Sequence, residues 1–148
     1  MYLVDANVFS ATAPTKAVAI PELVAWMDRN NVALFLSVIT VAEIEEAIAK
    51  SRRQGAARKA DRITEWLETL LHLYASRIVP LDVEIARQVG RLADRARCQG
   101  MEPGLAHLVI AATAQHRGWT VLTRNLRHFG PLGVPALDPY AALPPEGE

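Results

Sequence analysis

The 148-residue chain predicts an α/β fold in which a parallel sheet is sandwiched between helices. Three observations carry that prediction. Short apolar runs rich in Val, Leu, Ile and Phe lack strict alternation, as strands covered on both faces do. Longer segments between them repeat apolar residues at helical spacing. The two kinds of segment also follow one another as strand, helix, strand, helices, strand, helices, strand.

Taken in order, Tyr2–Val4 reads as the first buried strand. Pro21 opens a helix, "PELVAWMDRN", with Leu23, Val24, Trp26 and Met27 on one side. The second strand is "ALFLSVI", Ala33–Ile39. Thr40 precedes "VAEIEEAIAKSRR", where Val41, Ile44, Ala47 and Ile48 recur at helical spacing. In "ADRITEWLETLLHLYAS" a single stripe gathers Ile63, Trp66, Leu67, Leu70 and Leu71. A third strand, Ile78–Leu81, contains Pro80 and so belongs at a sheet edge or a strand end. Asp82 can cap "VEIARQVGRLADRARCQG", which stops at Gly100. The next helix carries His107 and closes near Gly118, and "TVLT" at Thr120–Thr123 is the last strand. No repeat and no second domain is visible. The reading is one domain over residues 1–142 and a disordered tail, "LPPEGE", over 143–148.

Composition narrows the class. With 51% hydrophobic and 22% charged residues, the chain can build a core and is not disordered. Its formal net charge is zero, so no global field draws it to nucleic acid or membrane. Six of the sixteen basic residues nevertheless fall in "KSRRQGAARKADR", including Arg52, Arg53, Arg58 and Lys59. That cluster is either a solvated helix face or a patch for phosphate or a partner. The single Cys98 excludes an internal disulfide and points to a reducing compartment. The start lacks the pattern of a signal peptide, and no run approaches the ~18 apolar residues of a membrane span. A cytoplasmic protein with no membrane partner is expected.

In an open parallel sheet, ligands bind beyond the carboxyl ends of the strands. Asp5 stands there, directly after three apolar residues; it is a turn or cap residue, or a functional carboxylate. Glu43, early in the helix after the second strand, is a favourable helix-dipole charge or a second carboxylate on the same rim. Together the two suit a hard divalent cation. Rival readings fail on single residues. A haloacid-dehalogenase-type phosphatase needs an acid where this chain has Asn7, and a receiver domain needs a late Lys, of which none follows residue 59. There is no glycine-rich phosphate loop, and Cys98 and the histidines lack zinc-finger spacing. His72 and His116 read as surface residues, Trp26 and Trp66 as core.

The segments "MYLVDANVFS", "LSVITVAEIEEAI", "LVIAATAQHRGWTVLTRN" and "LGVPALDPY", in that order across residues 1–140, resemble the PIN-domain family of the VapC/FitB toxin type. The resemblance implies a PIN-like fold, a Mg²⁺- or Mn²⁺-dependent ribonuclease activity, a homodimer and a cognate antitoxin that blocks the site. The apolar load of "ADRITEWLETLLHLYAS" is a further reason to expect the homodimer. The resemblance maps the first family acid onto Asp5, with Asn7 orienting it, and the second onto Glu43. The third and fourth acids fall on His107 and His128, while Asn125 is kept. Thr40 is expected to cap the Glu43 helix or to point into the site. Replacing two of four carboxylates by neutral imidazoles takes the site from about −4 to about −2, which suits Mg²⁺ poorly. Imidazole suits Zn²⁺, Ni²⁺ or Mn²⁺ better. Asp5, Glu43, His107 and His128 are therefore the expected metal ligands, with Glu46 and Glu102 as substitutes. The competing expectation is a degenerate PIN domain that binds antitoxin or RNA without cleaving it.

Overall fold

The computed structural model describes residues 1–15 and 20–146. Its strands are β1 (Tyr2–Val4), β2 (Leu34–Ser37), β3 (Ile78–Val79), β4 (Thr120–Leu122) and β5 (Ala136–Leu137). They form one sheet in the order β3-β2-β1-β4-β5, and every neighbouring pair is parallel. The helices are α1 (Ala6–Phe9), α2 (Pro21–Arg29), α3 (Val38–Arg53), α4 (Ala57–Leu73), α5 (Val83–Cys98), α6 (Leu105–Arg117) and α7 (Leu126–Phe129). This is the predicted α/β sandwich.

Side chains along a strand alternate between the two faces of the sheet, and here each face meets its own apolar layer. Tyr2, Val4, Leu34, Leu36 and Leu122 join Trp26, Ile44, Leu67 and Leu70 on the side of α2, α3 and α4. Leu3 and Val121 join Ile85, Leu92, Ile110 and Phe129 on the side of α5 and α6. With both faces covered there is no polar face, which is why the strands read as continuous apolar runs. The edge position predicted for the Pro80 strand holds, because β3 is the outermost strand beside β2. Asp82 Oδ1 accepts the Ile85 N–H at 2.9 Å and caps α5. Gly118, at φ 67°, ends α6 in a left-handed conformation that favours glycine.

Several expectations are corrected. The second strand ends at Ser37 rather than Ile39, and Ser37, not Thr40, is the N-cap of α3: its hydroxyl accepts the Ile39 N–H at 3.2 Å. Glu43 consequently lies in the second turn, where the helix dipole has faded. The sequence reading missed β5, a two-residue strand too short to carry a period; its backbone pairs with β4 next to Pro135. The apolar stripe of α4 is used within the chain, since Ile63, Leu67 and Leu70 are buried and Trp66 and Leu71 pack on the same core. It therefore supplies no surplus for a dimer. The segment expected to be a disordered tail makes contacts as far as it is described: Tyr2 Oη donates to Pro145 O at 3.0 Å, and Asn30 and Arg29 reach the Glu146 carboxylate. Residues 147–148 of that tail lie outside the described residues.

Leu3 occupies the middle of the central strand and is fully buried. Leu3→Ala is expected to cost about 3 kcal/mol and to lower Tm by roughly 10 °C. Thermal unfolding followed by circular dichroism measures it, and a loss under about 1 kcal/mol would contradict this packing.

Candidate active site

At the carboxyl edge of the sheet, β1 runs directly into Asp5. The Asp5 backbone N–H donates to Leu122 O at 2.9 Å, so the residue is held against the end of β4. Its carboxylate caps α1, with Oδ1 accepting the Ala6 N–H at 2.8 Å. The other oxygen, Oδ2, accepts the Thr123 hydroxyl at 2.8 Å. Asp5 is only 3% exposed, yet each carboxylate oxygen keeps a lone pair beyond the bond it accepts. Asp5 is thus both a cap and a fixed anion.

Thr123, which the sequence reading did not single out, is the connecting residue. Its hydroxyl donates to Asp5 and accepts from Asn125 N at 3.0 Å and from Asn7 Nδ2 at 3.4 Å. Asn7 Oδ1 in turn accepts the Arg124 backbone N–H at 3.2 Å. Asn7 supports Asp5 through this shared threonine rather than directly. Asn125 contributes its backbone, and its side chain does not cap α7. A buried threonine after an apolar strand carries no sequence signal of its own, because packing and capping explain it equally well.

Glu43 approaches from α3. Its Oε2 is buried and has no hydrogen-bond partner among the described residues, and the same is true of Thr40 Oγ1 one turn earlier. Burial pushes the Glu43 carboxyl up to about 7, and the nearby charges of Asp5 and then Glu46 add to the rise. Asp5 and Glu43 therefore repel one another across the rim. A cavity of about 290 Å³ opens beside Glu43, walled by Asn7, Ser10, Ile44, Ile63 and Trp66.

His107 projects from the first turn of α6 and His128 from α7. Their rings stack at 4.4 Å between centroids, only 10° from parallel, and His107 meets the Phe129 ring edge-on at 5.5 Å. Burial holds His107 below its ordinary pKa, while Asp5 pulls the other way and His128 reinforces the depression. The ring is accordingly neutral at neutral pH.

These placements test the expected ligand set. The carboxylates fit a cation: two neighbouring anions, one with a buried oxygen lacking any partner, are relieved by a divalent charge. The histidines do not complete the set. Imidazole lone pairs lie in the ring plane, so near-parallel stacked rings do not converge on one ion. Among the described residues, no three His, Cys, Asp or Glu side chains are arranged to hold a metal ion. The structure thus brings the four residues to one rim, where Asp5 acts electrostatically on both Glu43 and His107, without forming a four-ligand cage. Glu46 and Glu102 are exposed.

The basic cluster lies where α3 passes to α4. Arg52 pairs with Asp61 at 3.0 Å and Arg62 donates to Pro14 O at 2.8 Å. Arg53, Arg58 and Lys59 are exposed.

The family model for the PIN domain matches residues 2–130. Toxin FitB of Neisseria gonorrhoeae is 33% identical over 142 residues, covering 95% of this chain and 99% of the relative. VapC ribonuclease Y4jK of Sinorhizobium fredii is 32% identical over 145 residues, with 95% and 98% covered. Among solved structures, FitAcB from Neisseria gonorrhoeae superposes with a TM-score of 0.79 at 32% identity, covering 95% of this chain and 99% of that one.

Glu43 links the rim to pH. Its carboxyl titrates near 4.5 when unfolded and at about 7 when folded, so between those values the native state holds the extra proton. Stability therefore falls as pH rises through that window and is level above it. After solvent screening of a half-exposed group, about 1 kcal/mol of this penalty remains at pH 8. Glu43→Gln is expected to raise Tm by about 3 °C at pH 8 and by little at pH 5; equal shifts at both would refute it. Thr123→Val, which strips Asp5 Oδ2 of its donor, is expected to cost about 1–3 kcal/mol in urea unfolding, with Thr123→Ser recovering most of it.

Proposed function

The chain belongs to the PIN-domain family, of the VapC/FitB type, and from that premise we propose that it is the toxin of a type II toxin–antitoxin pair, a metal-dependent endoribonuclease with an altered acidic site. One observation carries the enzymatic reading. Glu43, half-buried and with one carboxylate oxygen unpartnered among the described residues, lies near the anion of Asp5 at the carboxyl edge of the sheet. A protein tolerates such repulsion where a charge is to be received. The names of the relatives, a toxin and a VapC ribonuclease, agree with it.

In this reading Asp5 would anchor one divalent cation, with Glu43 as its second ligand or as the base for the attacking water. When bound, the cation supplies a more acidic water and neutralises charge building on the phosphate. Asp5 is the fixed anchor, oriented by the Thr123 hydroxyl and, through it, by Asn7 and Asn125. As the base, Glu43 would take the proton of the attacking water, whose oxygen joins phosphorus as the bond to the leaving oxygen breaks and that oxygen takes up a proton from solvent. Thr40 lies beneath Glu43 on the same helix. His107 and His128 ligate only after their rings turn out of the stack, which suits Zn²⁺, Ni²⁺ or Mn²⁺ better than Mg²⁺. Arg52, Arg53, Arg58 and Lys59 are the proposed contacts to RNA or antitoxin, with Arg52 first having to leave Asp61.

A second reading has its own observation. Because the stacked histidines do not converge, the chain also fits a degenerate PIN domain that binds antitoxin or RNA without cleavage. The homodimer and the cytoplasmic location rest on the family resemblance. No helix among the described residues is long and apolar enough to cross a membrane. Monomer in sedimentation at micromolar concentration would exclude the dimer.

Calorimetry with Mg²⁺, Mn²⁺, Zn²⁺ and Ni²⁺ from about pH 5.5 to 8, beside cleavage of a structured RNA, separates the two readings. Binding should weaken as pH falls, because the Glu43 carboxyl, pushed up to about 7, takes up a proton in competition with the cation and protonated imidazole cannot ligate. Asp5→Asn should abolish binding, and His107→Asp with His128→Asp should move preference toward Mg²⁺ and raise Mg²⁺-dependent cleavage. Equal affinity for Mg²⁺ and Zn²⁺, left unchanged by His107→Asp with His128→Asp, would make the histidines bystanders. No metal binding and no cleavage would leave the degenerate domain.

A further inference from the structure

We propose that Arg124 is a substrate-contacting residue: its guanidinium, laid on the Tyr140 ring, grips a backbone phosphate of single-stranded RNA at the carboxyl edge of the sheet. The choice of RNA as the anion rests on the ribonuclease reading above; the placement of the cation does not.

Arg124 follows Thr123 directly, so its backbone leaves the sheet one residue beyond the hydroxyl that holds Asp5. Its N–H is bonded to Asn7 Oδ1 at 3.2 Å, which fixes where the side chain starts. Its guanidinium carbon lies 4.3 Å from the centre of the Tyr140 ring, which fixes where it ends. Tyr140 is itself held, its N–H donating to Asp138 Oδ1 at 2.9 Å and its ring packing on the core beneath α2, α3 and α4. The result is an exposed cation restrained at both ends.

No acid among the described residues pairs with that charge. The ion pairs among the described residues are Arg29 with Glu146 and Arg52 with Asp61. A guanidinium stacked on an aromatic face keeps its planar fork of N–H groups free along the ring edge, and that fork matches a phosphate bidentately. Stacking also removes part of the rotamer freedom that a loose side chain loses on binding.

The fold provides its own control. Arg117 is also exposed and also lies over an aromatic ring, 5.7 Å from the centre of Trp119. It precedes β4 and so stands at the amino edge of the sheet, away from Asp5. Both are exposed guanidiniums over an aromatic ring, and they stand at opposite edges of the sheet.

The test is the salt dependence of binding to a fluorescent single-stranded RNA of about 20 nucleotides, followed by anisotropy between about 50 and 200 mM salt. It is run once in EDTA and once with Ca²⁺, with thermal unfolding to confirm that each variant folds. Losing one phosphate contact should lower the slope of log K against log salt by about 0.7 for a single strand. Arg124→Gln should show that drop and a several-fold weaker Kd. Arg124→Lys, which keeps the charge, should retain the slope, and Arg117→Gln should match the wild type. An unchanged slope and Kd in Arg124→Gln, with the wild type binding RNA, overturns this proposal and leaves the ribonuclease reading standing. Equal losses in Arg117→Gln and Arg124→Gln overturn it too, as a non-specific charge effect. A wild type that binds no RNA in either buffer removes the ribonuclease reading and this proposal with it.

Discussion

One hydroxyl organises this rim. Thr123 sits at the end of β4, and its Oγ1 donates to an Asp5 carboxylate oxygen 118 residues away in sequence. A carboxylate buried as deeply as Asp5 is tolerated only if its oxygens are satisfied. Parallel pairing of β1 with β4 places the threonine where it can do that. The same oxygen receives Asn125 N and Asn7 Nδ2, so the loops after both strands take their shape from a single atom. Arg124, next in the chain, takes its direction from that arrangement.

The rim is also where the molecule is least at ease electrically. The apolar residues of the three central strands enter one layer or the other, and Asp5 has a bond for each oxygen, but the inner oxygen of Glu43 has no partner among the described residues. Its raised pKa expresses first the cost of its burial and then the nearness of the Asp5 carboxylate. Sites that receive a cation carry such a cost before it arrives. The stacked histidines sit differently. Near-parallel rings at 4.4 Å, backed by Phe129, are at rest as a packing unit. The two halves of the rim thus behave differently: carboxylates poised for charge, imidazoles content without it.

Much of this was legible in the residues. Strands read correctly where burial on both faces left unbroken apolar runs, and helices where the apolar period was long, as in α4 and α5. Asp82 and Gly118 announced their caps. Asp5 and Glu43 stood out because packing explains a carboxylate poorly after a buried strand. The misses share a cause. Ser37 rather than Thr40 caps α3, because two hydroxyl residues three apart can both serve and only the path of β2 decides. The short β5 exists through its partner β4. The α4 stripe looked surplus because the core it enters is built jointly from α2, α3 and the sheet, which no spacing within α4 reveals.

By itself the sequence determined the fold class, the alternation that sends neighbouring strand residues to opposite layers, and which chemical groups the rim could contain. Those follow from local period and residue type, which the chain carries wherever it goes. Tertiary structure decided how those groups meet: that Thr123 holds Asp5, that Glu43 turns an oxygen into a dry space, that His107 and His128 stack instead of converging, and that Arg124 ends on Tyr140. Each depends on the distance and angle between segments far apart in the chain. Hydrogen bonds, ring stacking and charge repulsion change over an ångström or a few tens of degrees, a resolution that spacing along a sequence does not have.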